Sequence, residues 1–313
     1  MAETHVIFGS GPLGKWTARE LVRLGKSVRM INRSGKASGL PAGVQVVAGD
    51  AYDLAQNIEL TRGAEAVYQC AQPLYYEWAE KFPRFQNAIL EAAAKNGARL
   101  IVGDNLYMYG DTHGQPIREE LPYQAHTKKG KVRAEMAQAL MEAHGSGKLR
   151  VAIGRAANFF GPDDHVVTDL AFRPAVSGKT INLLGRTDLL HSFSYVPDFG
   201  KLLATLGTRE EALGQVWFTP SPAAVTQKEL VRLLEVELGH PVKVMLAGKT
   251  MMSLLGLFNP MMRETVEMMY EWTNPFVMDS SKAERAFGWQ GTALPVAIHE
   301  TVEWIRVSSA DGK

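Results

Sequence analysis

The chain has 313 residues, of which 46% are hydrophobic and 21% are charged, and its formal net charge is +1. This length and composition are typical of a water-soluble globular protein with one large domain or two interlocked ones. A net charge near zero gives no electrostatic reason to expect nucleic acid or an anionic membrane as a partner. Cys70 is the single cysteine, which excludes an intramolecular disulfide and a cysteine-ligated metal cluster. With no signal-like N-terminus and no apolar run near the roughly 20 residues that span a bilayer, we expect a cytoplasmic protein.

A glycine-rich turn follows the first predicted strand. Residues 5–8 form a short apolar run, and residues 9–14 read Gly-Ser-Gly-Pro-Leu-Gly before apolar residues recur at helical spacing as far as Gly25. Between a strand and a helix, this pattern is typical of a dinucleotide-binding turn, because its glycines allow a tight turn, close approach of a pyrophosphate and close helix–strand packing. The pyrophosphate is expected at the helix N-terminus, where a proline is tolerated. The predicted cofactor contacts are Gly9, Gly11, Pro12, Leu13 and Gly14, and the alternative is an ordinary strand–helix turn.

The second predicted strand, residues 27–31, bears on which cofactor is bound. It ends at Asn32, Arg33 and Ser34, where a site that prefers NAD usually has an acidic residue for the ribose 2′-hydroxyl. Asn32 has no charge to repel a 2′-phosphate, and Arg33 and Ser34 offer it donors. We therefore expect NADP(H) to be favoured over NAD(H), with Arg33 as the main phosphate contact. The alternative is that Arg33 and Lys36 are solvated loop charges.

The alternation of strand and helix continues to residue 103. Apolar strands are predicted at residues 44–48, 64–70 and 99–103, with an amphipathic helix around residues 82–92. This order predicts right-handed crossovers and an α/β fold, a doubly wound parallel sheet of the Rossmann type. Ligands of such sheets bind beyond the carboxyl ends of the strands. The residues expected to line the cofactor channel there are Asp50, Ala51, Ala71, Gln72, Asp104 and Asn105.

Further motifs occur in a fixed order as far as residue 198. They are Gly49-Asp50, Tyr109-Gly110, Lys131 with Glu135, residues 155–162 and residues 191–198. Together they resemble the extended, atypical short-chain dehydrogenase/reductases of the NAD(P)-dependent epimerase/dehydratase type. The resemblance implies that Lys131 binds the nicotinamide ribose and assists a proton-transferring tyrosine four residues earlier. Here that position is Thr127, and Asn105 replaces an expected serine or threonine.

The loss of the tyrosine leaves the proton donor open. A phenol ionises near pH 10, whereas an aliphatic hydroxyl ionises several units higher, so Thr127 can orient a substrate but is a poor donor. Tyr107 and His126 precede Lys131 in a loop expected to line the substrate pocket, and a histidine titrates in the useful range. Reduction of an enone or a quinone would let water supply the proton. The candidate catalytic residues are Lys131, Thr127, Asn105, Tyr107 and His126, with a solvated helix charge as the alternative for Lys131.

The glycine, proline and charge content rises after residue 160 and suggests a second lobe. We assign residues 1–160 to a dinucleotide-binding domain to which residues 184–220 return. Residues 161–183 and 221–313 are assigned to a smaller, mainly helical C-terminal substrate lobe.

Two features stand out within that lobe. Thr226 and Glu229 have the spacing of a capping box and predict the start of a helix. Methionines concentrate at Met251, Met252, Met261, Met262, Met268 and Met269, among leucines and aromatic residues. These methionines are predicted to form helical core or a homodimer interface. The alternative is an apolar lid over the nicotinamide that would favour a hydrophobic substrate.

Three functions remain open on these observations. The first is an NADP(H)-dependent oxidoreductase for a small, apolar carbonyl, enone or quinone, with Asn105 and Thr127 positioning the substrate oxygen. The second is an NADP(H)-binding regulator or sensor without turnover, because the cofactor residues are kept while the acid is lost. The third is a nucleotide-sugar epimerase or dehydratase, whose chemistry would rely on the missing tyrosine. Whether the chain is an enzyme is therefore left open.

Overall fold

The structure, a computed structural model, describes residues 3–258 and 260–310, without the side chains of residues 249, 255, 260, 261 and 310. The strands described are β1 (Thr4–Phe8), β2 (Ser27–Asn32), β3 (Gln45–Ala48), β4 (Ala64–Gln69), β5 (Arg99–Asp104), β6 (Val151–Arg155), β7 (Asn158–Phe160), β8 (Ile181–Leu184), β9 (Leu190–His191), β10 (Phe193–Tyr195), β11 (Val216–Phe218), β12 (Val225–Thr226) and β13 (Val244–Ala247). The α-helices are α1 (Pro12–Arg23), α2 (Leu54–Leu60), α3 (Trp78–Lys95), α4 (Lys128–Gly145), α5 (Arg173–Val176), α6 (Val196–Thr208), α7 (Gln227–Leu238), α8 (Lys249–Gly256), α9 (Pro260–Val266), α10 (Tyr270–Thr273), α11 (Ser281–Phe287) and α12 (Leu294–Ala310). These elements divide into two compact units.

The first unit is built on one parallel sheet. It contains the residues up to Met108, Lys128–Ala156 and Phe199–Thr219. Its strands are hydrogen-bonded in the order β11-β6-β5-β4-β1-β2-β3, and each neighbouring pair is parallel. The predicted doubly wound parallel sheet is confirmed. The central strands read as apolar runs because both faces of a parallel sheet are covered, and Val6 and Val67 are fully buried.

The element boundaries in this unit follow local sequence signals. The strands predicted from residues 27 and 99 extend to Asn32 and Asp104, one residue further than expected. Helix α1 ends at Arg23, and Gly25 then adopts a φ of 75°, the left-handed conformation in which helices commonly end. The glycine that was expected to close the helix is therefore found in that role.

The second unit combines small sheets with helices. It contains Tyr109–Thr127, Ala157–Asp198 and the chain from Pro220 onward. Strand β7 pairs in parallel with β10 and β8 with β13, while β9 and β12 are antiparallel. The helical C-terminal part expected from the sequence is present. None of the helices described is both long and apolar enough to cross a membrane.

Helix α7 begins where the capping box predicts. The hydroxyl of Thr226 accepts a hydrogen bond from the backbone N–H of Glu229 at 3.1 Å, which satisfies one donor of the first helical turn. Leu230 and Leu234 of α7 pack with Ile298 and Val302 of α12 in the buried core of this unit.

The methionine-rich segment forms β13, α8, α9 and α10. Met252, Met268 and Met269 are buried, and Met252 and Met269 form a small core cluster with Ala247. The inward side of the segment is therefore helical core, one of the two predicted roles. The predicted residue Met261 lies outside the described side chains.

The two units differ in extent from the domains expected from the sequence. Residues 109–127 group with the second unit, where the backbone N–H of Ile117 donates to the carbonyl of Val277 at 2.7 Å. Residues 184–198 also belong there, because β10 pairs with β7 and not with the large sheet. The return to the large sheet covers 199–219 instead of 184–220.

Candidate functional site

The carboxyl ends of the parallel strands bring the predicted cofactor residues of the first unit to one edge of the sheet. Hydrogen bonding continues past the strand ends there, since the backbone N–H of Gly9 donates to Ile31 and that of Gly49 to Asn32, both at 2.9 Å. The loops after β1, β2 and β3 therefore begin side by side, and those after β4 and β5 continue the same edge. The predicted residues that share this edge are Asp50, Ala51, Ala71, Gln72, Asp104 and Asn105.

The turn after β1 needs glycine for protein packing at two positions and not at the third. Gly9 has a φ of 116°, and an added Cβ would lie 2.8 Å from the Cβ of Ala71. An added Cβ at Gly14 would lie 2.0 Å from the carbonyl oxygen of Gly9. At Gly11, which has an ordinary φ of −75° and caps α1, an added Cβ meets none of the described atoms within 4 Å. The open space beside Gly11 adjoins a helix N-terminus that favours an anion, so the turn fits a pyrophosphate.

Pro12 and Leu13 contribute to this turn in different ways. Pro12 occupies the first turn of α1, where its missing N–H leaves no helical bond unmade. Leu13 is buried, and a Cβ added at Gly103 would lie 2.5 Å from its Cδ2, so the Leu13 side chain packs towards β5. A cofactor could therefore reach Leu13 only through its backbone.

Asn32 organises the loop that was predicted to select the cofactor. Its amide nitrogen donates to the Ser10 hydroxyl and to the Lys36 carbonyl, both at 2.8 Å. Its amide oxygen accepts from the backbone N–H groups of Ser34, at 3.1 Å, and Gly35, at 2.7 Å. The Asn32 oxygen is thus already committed to the loop and does not replace the acid that receives the ribose hydroxyl. Arg33 is exposed and makes no ion pair with the part of the chain that the structure describes.

Asp50 and Ala51 begin the loop after β3. Asp50 is exposed, its carboxylate accepts from the backbone N–H of Tyr52 at 3.1 Å, and its own N–H donates to Gln56 at 2.7 Å. The carbonyl of Ala51 accepts from Asn57 at 2.8 Å. These bonds fix the loop and leave the Asp50 side chain at the surface of the edge.

Gln69, the last residue of β4, was not predicted from the sequence as a residue of the site. It is 1% exposed, yet neither atom of its side-chain amide has a hydrogen-bond partner among the described residues. A buried polar group without a partner costs about 1–3 kcal/mol. The signal that could have revealed it is a polar residue within an apolar strand, two positions before Ala71.

Asn105, Tyr107 and Lys131 all belong to the first unit. The amide oxygen of Asn105 accepts from the backbone N–H of Tyr107 at 3.2 Å, so its two amide hydrogens are the groups that can reach a substrate oxygen. The Tyr107 ring lies 6.0 Å from that of Trp78. Lys131, in the first turn of α4, has an exposed side chain.

A buried charge cluster beneath Asn105 was also missed. Asp104 lies between two arginines: the Arg155 Nε is 3.0 Å from one carboxylate oxygen, and an Arg133 terminal nitrogen is 3.3 Å from the other. The side chains are 5% exposed for Asp104 and Arg133 and 0% for Arg155. The Arg133 guanidinium also lies over the rings of Trp78, at 4.6 Å, and Phe82, at 4.4 Å. Burial lowers the pKa of Arg133, and Asp104 opposes that effect.

This cluster explains how the start of α4 is held. Arg133 lies two residues after Lys131 and reaches the end of β5, whereas Arg155 is the last residue of β6. Asp104 therefore ties α4 to two neighbouring strands beside Asn105. The signal in the sequence was an arginine between Val132 and Met136 on the apolar side of the helix.

His126 and Thr127 lie in the second unit, directly before α4. Thr127 is buried, and His126 is exposed with its ring edge-on to that of Tyr270, 4.8 Å between centroids. His126 thus keeps solvent access, which a proton donor needs, whereas the Thr127 side chain has little.

A buried clamp in the second unit fixes the amide of Asn158. Its nitrogen lies 3.2 Å from Nε2 of His191 and donates to a carboxylate oxygen of Glu271 at 3.1 Å. Burial lowers the pKa of His191 to about 3, so the ring is neutral and its Nε2 accepts. Burial also raises the pKa of Glu271 to about 8. Because both amide hydrogens of Asn158 are taken, its half-buried oxygen is left as an acceptor.

Comparison with known proteins supports one family. The sequence model of the NAD dependent epimerase/dehydratase family matches residues 6–217. The 3beta-hydroxysteroid-dehydrogenase/decarboxylase isoform 2 of Arabidopsis thaliana is 24% identical over an alignment of 228 positions, which covers 64% of this chain and 39% of that protein. The chain thus spans about two fifths of the length of that curated relative.

Solved structures similar to this one share its fold over nearly the whole chain. An epimerase from Methanothermobacter thermautotrophicus has a TM-score of 0.81 at 16% identity and covers 99% of this chain and 94% of its own. UDP-glucose 4-epimerase from Thermotoga maritima, solved with UDP-glucose, has a TM-score of 0.78 at 18% identity and covers 98% and 99%. A double mutant of dTDP-glucose 4,6-dehydratase from Streptomyces venezuelae, solved with NAD bound, has 0.79 at 18% and covers 98% of each chain.

Proposed function

The chain belongs to the NAD dependent epimerase/dehydratase family, and we propose that it binds NAD(P) and transfers a hydride between the nicotinamide and a secondary alcohol or the corresponding carbonyl. The observation that carries this proposal is the turn at residues 9–14. Packing requires glycine at Gly9 and Gly14, whereas Gly11 borders open space at the N-terminus of α1. A glycine that no described neighbour requires is explained by a ligand that must approach the backbone there.

The residues at the sheet edge supply the remaining parts of such a reaction. Lys131 would hold the nicotinamide ribose, since its exposed ammonium offers three donors. The amide hydrogens of Asn105 would bind the substrate oxygen, because the amide oxygen is held by Tyr107. Bound NAD(P)⁺ would supply the hydride acceptor for oxidation of the alcohol carbon, and the site would have to take the proton that leaves the substrate hydroxyl. Tyr107, His126 or water would take that proton, because Thr127 is buried and a weak acid.

We propose a preference for NADP(H) over NAD(H). The Asn32 oxygen is occupied by the loop, and Arg33 is exposed beside it. A guanidinium at that position can bind a 2′-phosphate by charge-assisted hydrogen bonds. The related dehydratase structure contains NAD, so this preference would separate the chain from that relative.

The family and its structural neighbours favour chemistry of the epimerase/dehydratase type over reduction of a quinone or an enone. The UDP-glucose with which the Thermotoga maritima epimerase was solved carries hydroxyl groups on its sugar. We therefore rank oxidation of a hydroxyl-bearing substrate first.

A second candidate is an oxidoreductase for an apolar alcohol or ketone. A diphosphate group is usually bound by arginines, but several arginines of the second unit are already ion-paired: Arg118 with Asp279, Arg173 with Asp169, Arg186 with Asp188 and Arg232 with Glu229. The curated relative is named for a hydroxysteroid. Both observations favour a substrate without a diphosphate.

Cofactor reduction by a substrate panel distinguishes these candidates. The purified protein would be mixed with NADP⁺ or NAD⁺ and either nucleotide sugars or apolar secondary alcohols, and formation of reduced nicotinamide or of an epimerised or dehydrated sugar would be followed. Lys131→Ala should abolish turnover and weaken both cofactors, whereas Lys128→Ala, also exposed on α4, should change neither. Tight cofactor binding without turnover of any panel member would favour a sensor and contradict the proposed enzyme.

A further inference from the structure

The first turn of α4 contains a lysine that is buried. Lys128 and Lys131 are exposed, whereas Lys129 between them is only 3% exposed. Its Nζ lies 4.4 Å from the centroid of the Tyr75 ring, so the ammonium stands over the face of a phenol. A lysine is rarely buried without a specific partner. The contact therefore marks Lys129 and Tyr75 as a pair.

Tyr75 lies at the edge of the sheet where the predicted cofactor residues are found. It follows β4 in the same loop as Ala71 and Gln72, and it begins a single turn of 3-10 helix (Tyr75–Glu77) that leads into α3. Its half-buried ring is edge-on to that of Trp78, 5.0 Å between centroids, and Trp78 is buried. Tyr75 is therefore a phenol that is held in place at the cofactor edge and keeps access to solvent.

Within the first unit, the charged groups described around Tyr75 are positive on balance. Lys129 and Arg133 both come from α4; burial lowers the pKa of Arg133, and the Tyr75 hydroxyl is among the groups that oppose this effect. Behind Arg133 lie one carboxylate and one further guanidinium, which balance each other. On the α3 side, Glu77 is ion-paired with Lys81 at 2.5 Å. A phenolate at Tyr75 would therefore face a net positive field, which favours the charged form of a phenol.

We propose that Tyr75 is the proton donor that Thr127 cannot be, with Lys129 as the cation that stabilises its phenolate; this rests on the proposed function. As a substrate carbonyl carbon accepts a hydride from the reduced nicotinamide, the O–H bond of Tyr75 breaks and its proton goes to the carbonyl oxygen. The alcohol forms, and water returns a proton to the phenolate; alcohol oxidation runs through the same steps in reverse. Tyr75 is preferred to Tyr107 because the lysine stands over its ring. Lys131, exposed in the same turn, is then left to hold the nicotinamide ribose.

Titration of the phenol in the ligand-free full chain tests the pair without any turnover. The ultraviolet absorbance of phenolate would be followed against pH, and the difference between each protein and its Tyr75→Phe version isolates Tyr75. Lys129→Met removes the cation and should move this signal to higher pH by about one unit or more. Its control, Lys128→Met, removes an exposed lysine one position earlier and should leave the signal in place.

Kinetics tests the proton transfer itself. For the alcohol or nucleotide sugar of the panel that is turned over, Tyr75→Phe should lower kcat about 10²–10⁴-fold, the usual contribution of a general acid, and leave the Kd for NADP⁺ unchanged. Its control, Tyr76→Phe, removes the same hydroxyl at the next residue, which is 48% exposed, and should keep the wild-type kcat.

The pH dependence separates the role of Lys129 from a purely structural one. Lys129→Met should oxidise an alcohol more slowly than the wild type at neutral pH and recover as pH rises, because more of the Tyr75 phenol is then ionised. Circular dichroism would verify that the variant is folded. If it does not fold, Tyr75→Phe and its control decide the proposal alone.

Three results would overturn the proposal. One is a Tyr75 signal at the same pH in the wild type and in Lys129→Met. Another is a wild-type kcat in Tyr75→Phe, or a greater loss in Tyr107→Phe, which would make Tyr107 the donor. Both leave the proposed function intact. The third is a wild type that binds NADP⁺ but turns over no member of the panel, which would contradict the proposed function and this role of Tyr75 with it.

Discussion

Replacing Asp104 by asparagine should destabilise the first unit more than replacing Arg133, one of the two arginines that it binds, by methionine. The cluster contains two guanidinium groups and one carboxylate, all nearly buried. Asp104→Asn keeps the size of the side chain but removes the negative charge that lies within 3.3 Å of both buried guanidinium groups. Arg133→Met instead leaves the Asp104–Arg155 pair, 3.0 Å apart, electrically balanced.

The expected magnitudes differ enough to measure. Removing one partner of a buried ion pair costs about 3–5 kcal/mol when it leaves an uncompensated charge, and Asp104 is a partner of two arginines. Arg133→Met loses the contacts with Trp78 and Phe82, about 1–2 kcal/mol, but it no longer buries a charge. For a unit of this size, 1 kcal/mol shifts Tm by about 2–4 °C. Asp104→Asn should therefore lower Tm by roughly 6–20 °C and Arg133→Met by a few degrees.

Thermal unfolding followed by circular dichroism, together with urea unfolding, would provide both values. Asp50→Asn is the matched control, since the same substitution at an exposed position should change the free energy of unfolding by less than about 0.5 kcal/mol. The reasoning is refuted if Arg133→Met destabilises more than Asp104→Asn. It is equally refuted if Asp104→Asn behaves like the control.

Four further outcomes are expected. Arg33→Ala should raise the Kd for NADPH about 10–150-fold, the effect of losing about 1.5–3 kcal/mol of binding free energy. The Kd for NADH, measured by the same calorimetric titration, should stay unchanged. An equal loss of affinity for both cofactors would reject Arg33 as the phosphate contact. Gly11→Ala should lower Tm by only a few degrees, because the added Cβ meets no described atom within 4 Å and the loss of glycine at the N-cap of α1 costs about 1 kcal/mol. It should nevertheless weaken cofactor binding strongly, and wild-type affinity would mean that the pyrophosphate lies elsewhere. Thr127→Tyr introduces a phenol four residues before Lys131, whose charge would lower the phenol's pKa. Because Thr127 is buried, the variant is first shown by circular dichroism to fold with the larger ring; carbonyl reduction should then rise by about 10²–10⁴-fold, and a folded but slower enzyme would indicate another donor. Burial raises the pKa of Glu271 from 4.5 to about 8, so the free energy of unfolding of the wild type should decrease as pH rises between these values. In Glu271→Gln, Tm measured against pH should not show this decrease. An equal slope in both proteins would mean that Glu271 is not the group responsible.

The parts of the site that are local in sequence could be predicted. The turn at residues 9–14 combines a strand, a glycine pattern and a helix within a short window, so its position and the roles of Gly9 and Gly14 follow from the sequence. The strand ends at Asp50, Ala71 and Asn105 could be assigned for the same reason, since parallel strands end at one edge.

The clusters that depend on distant contacts could not be predicted. Asn158 and Glu271 are 113 positions apart, and nothing near either residue indicates a bond between them. Asp104 and Arg155 are 51 positions apart, and charged residues are usually taken to be solvent-exposed. Their burial depends on which strands become neighbours, which is a property of the whole sheet. The bounds of the second unit differ from the expected domain for the same reason, because the pairing of β7 with β10 joins short strands without a strong pattern.

The discontinuous first unit has a consequence for how the protein is made. Its sheet ends at β11, which pairs only with β6 within that sheet, and a long excursion into the second unit lies between these two strands in the chain. During synthesis on the ribosome, β6 therefore emerges well before its outer neighbour and presents an unpaired edge in the meantime. Unpaired strand edges are prone to pairing with other chains. Chaperone demand and aggregation during expression should accordingly depend on how quickly residues 156–216 are translated, and codon changes confined to that stretch would alter the yield of folded protein without altering a single amino acid.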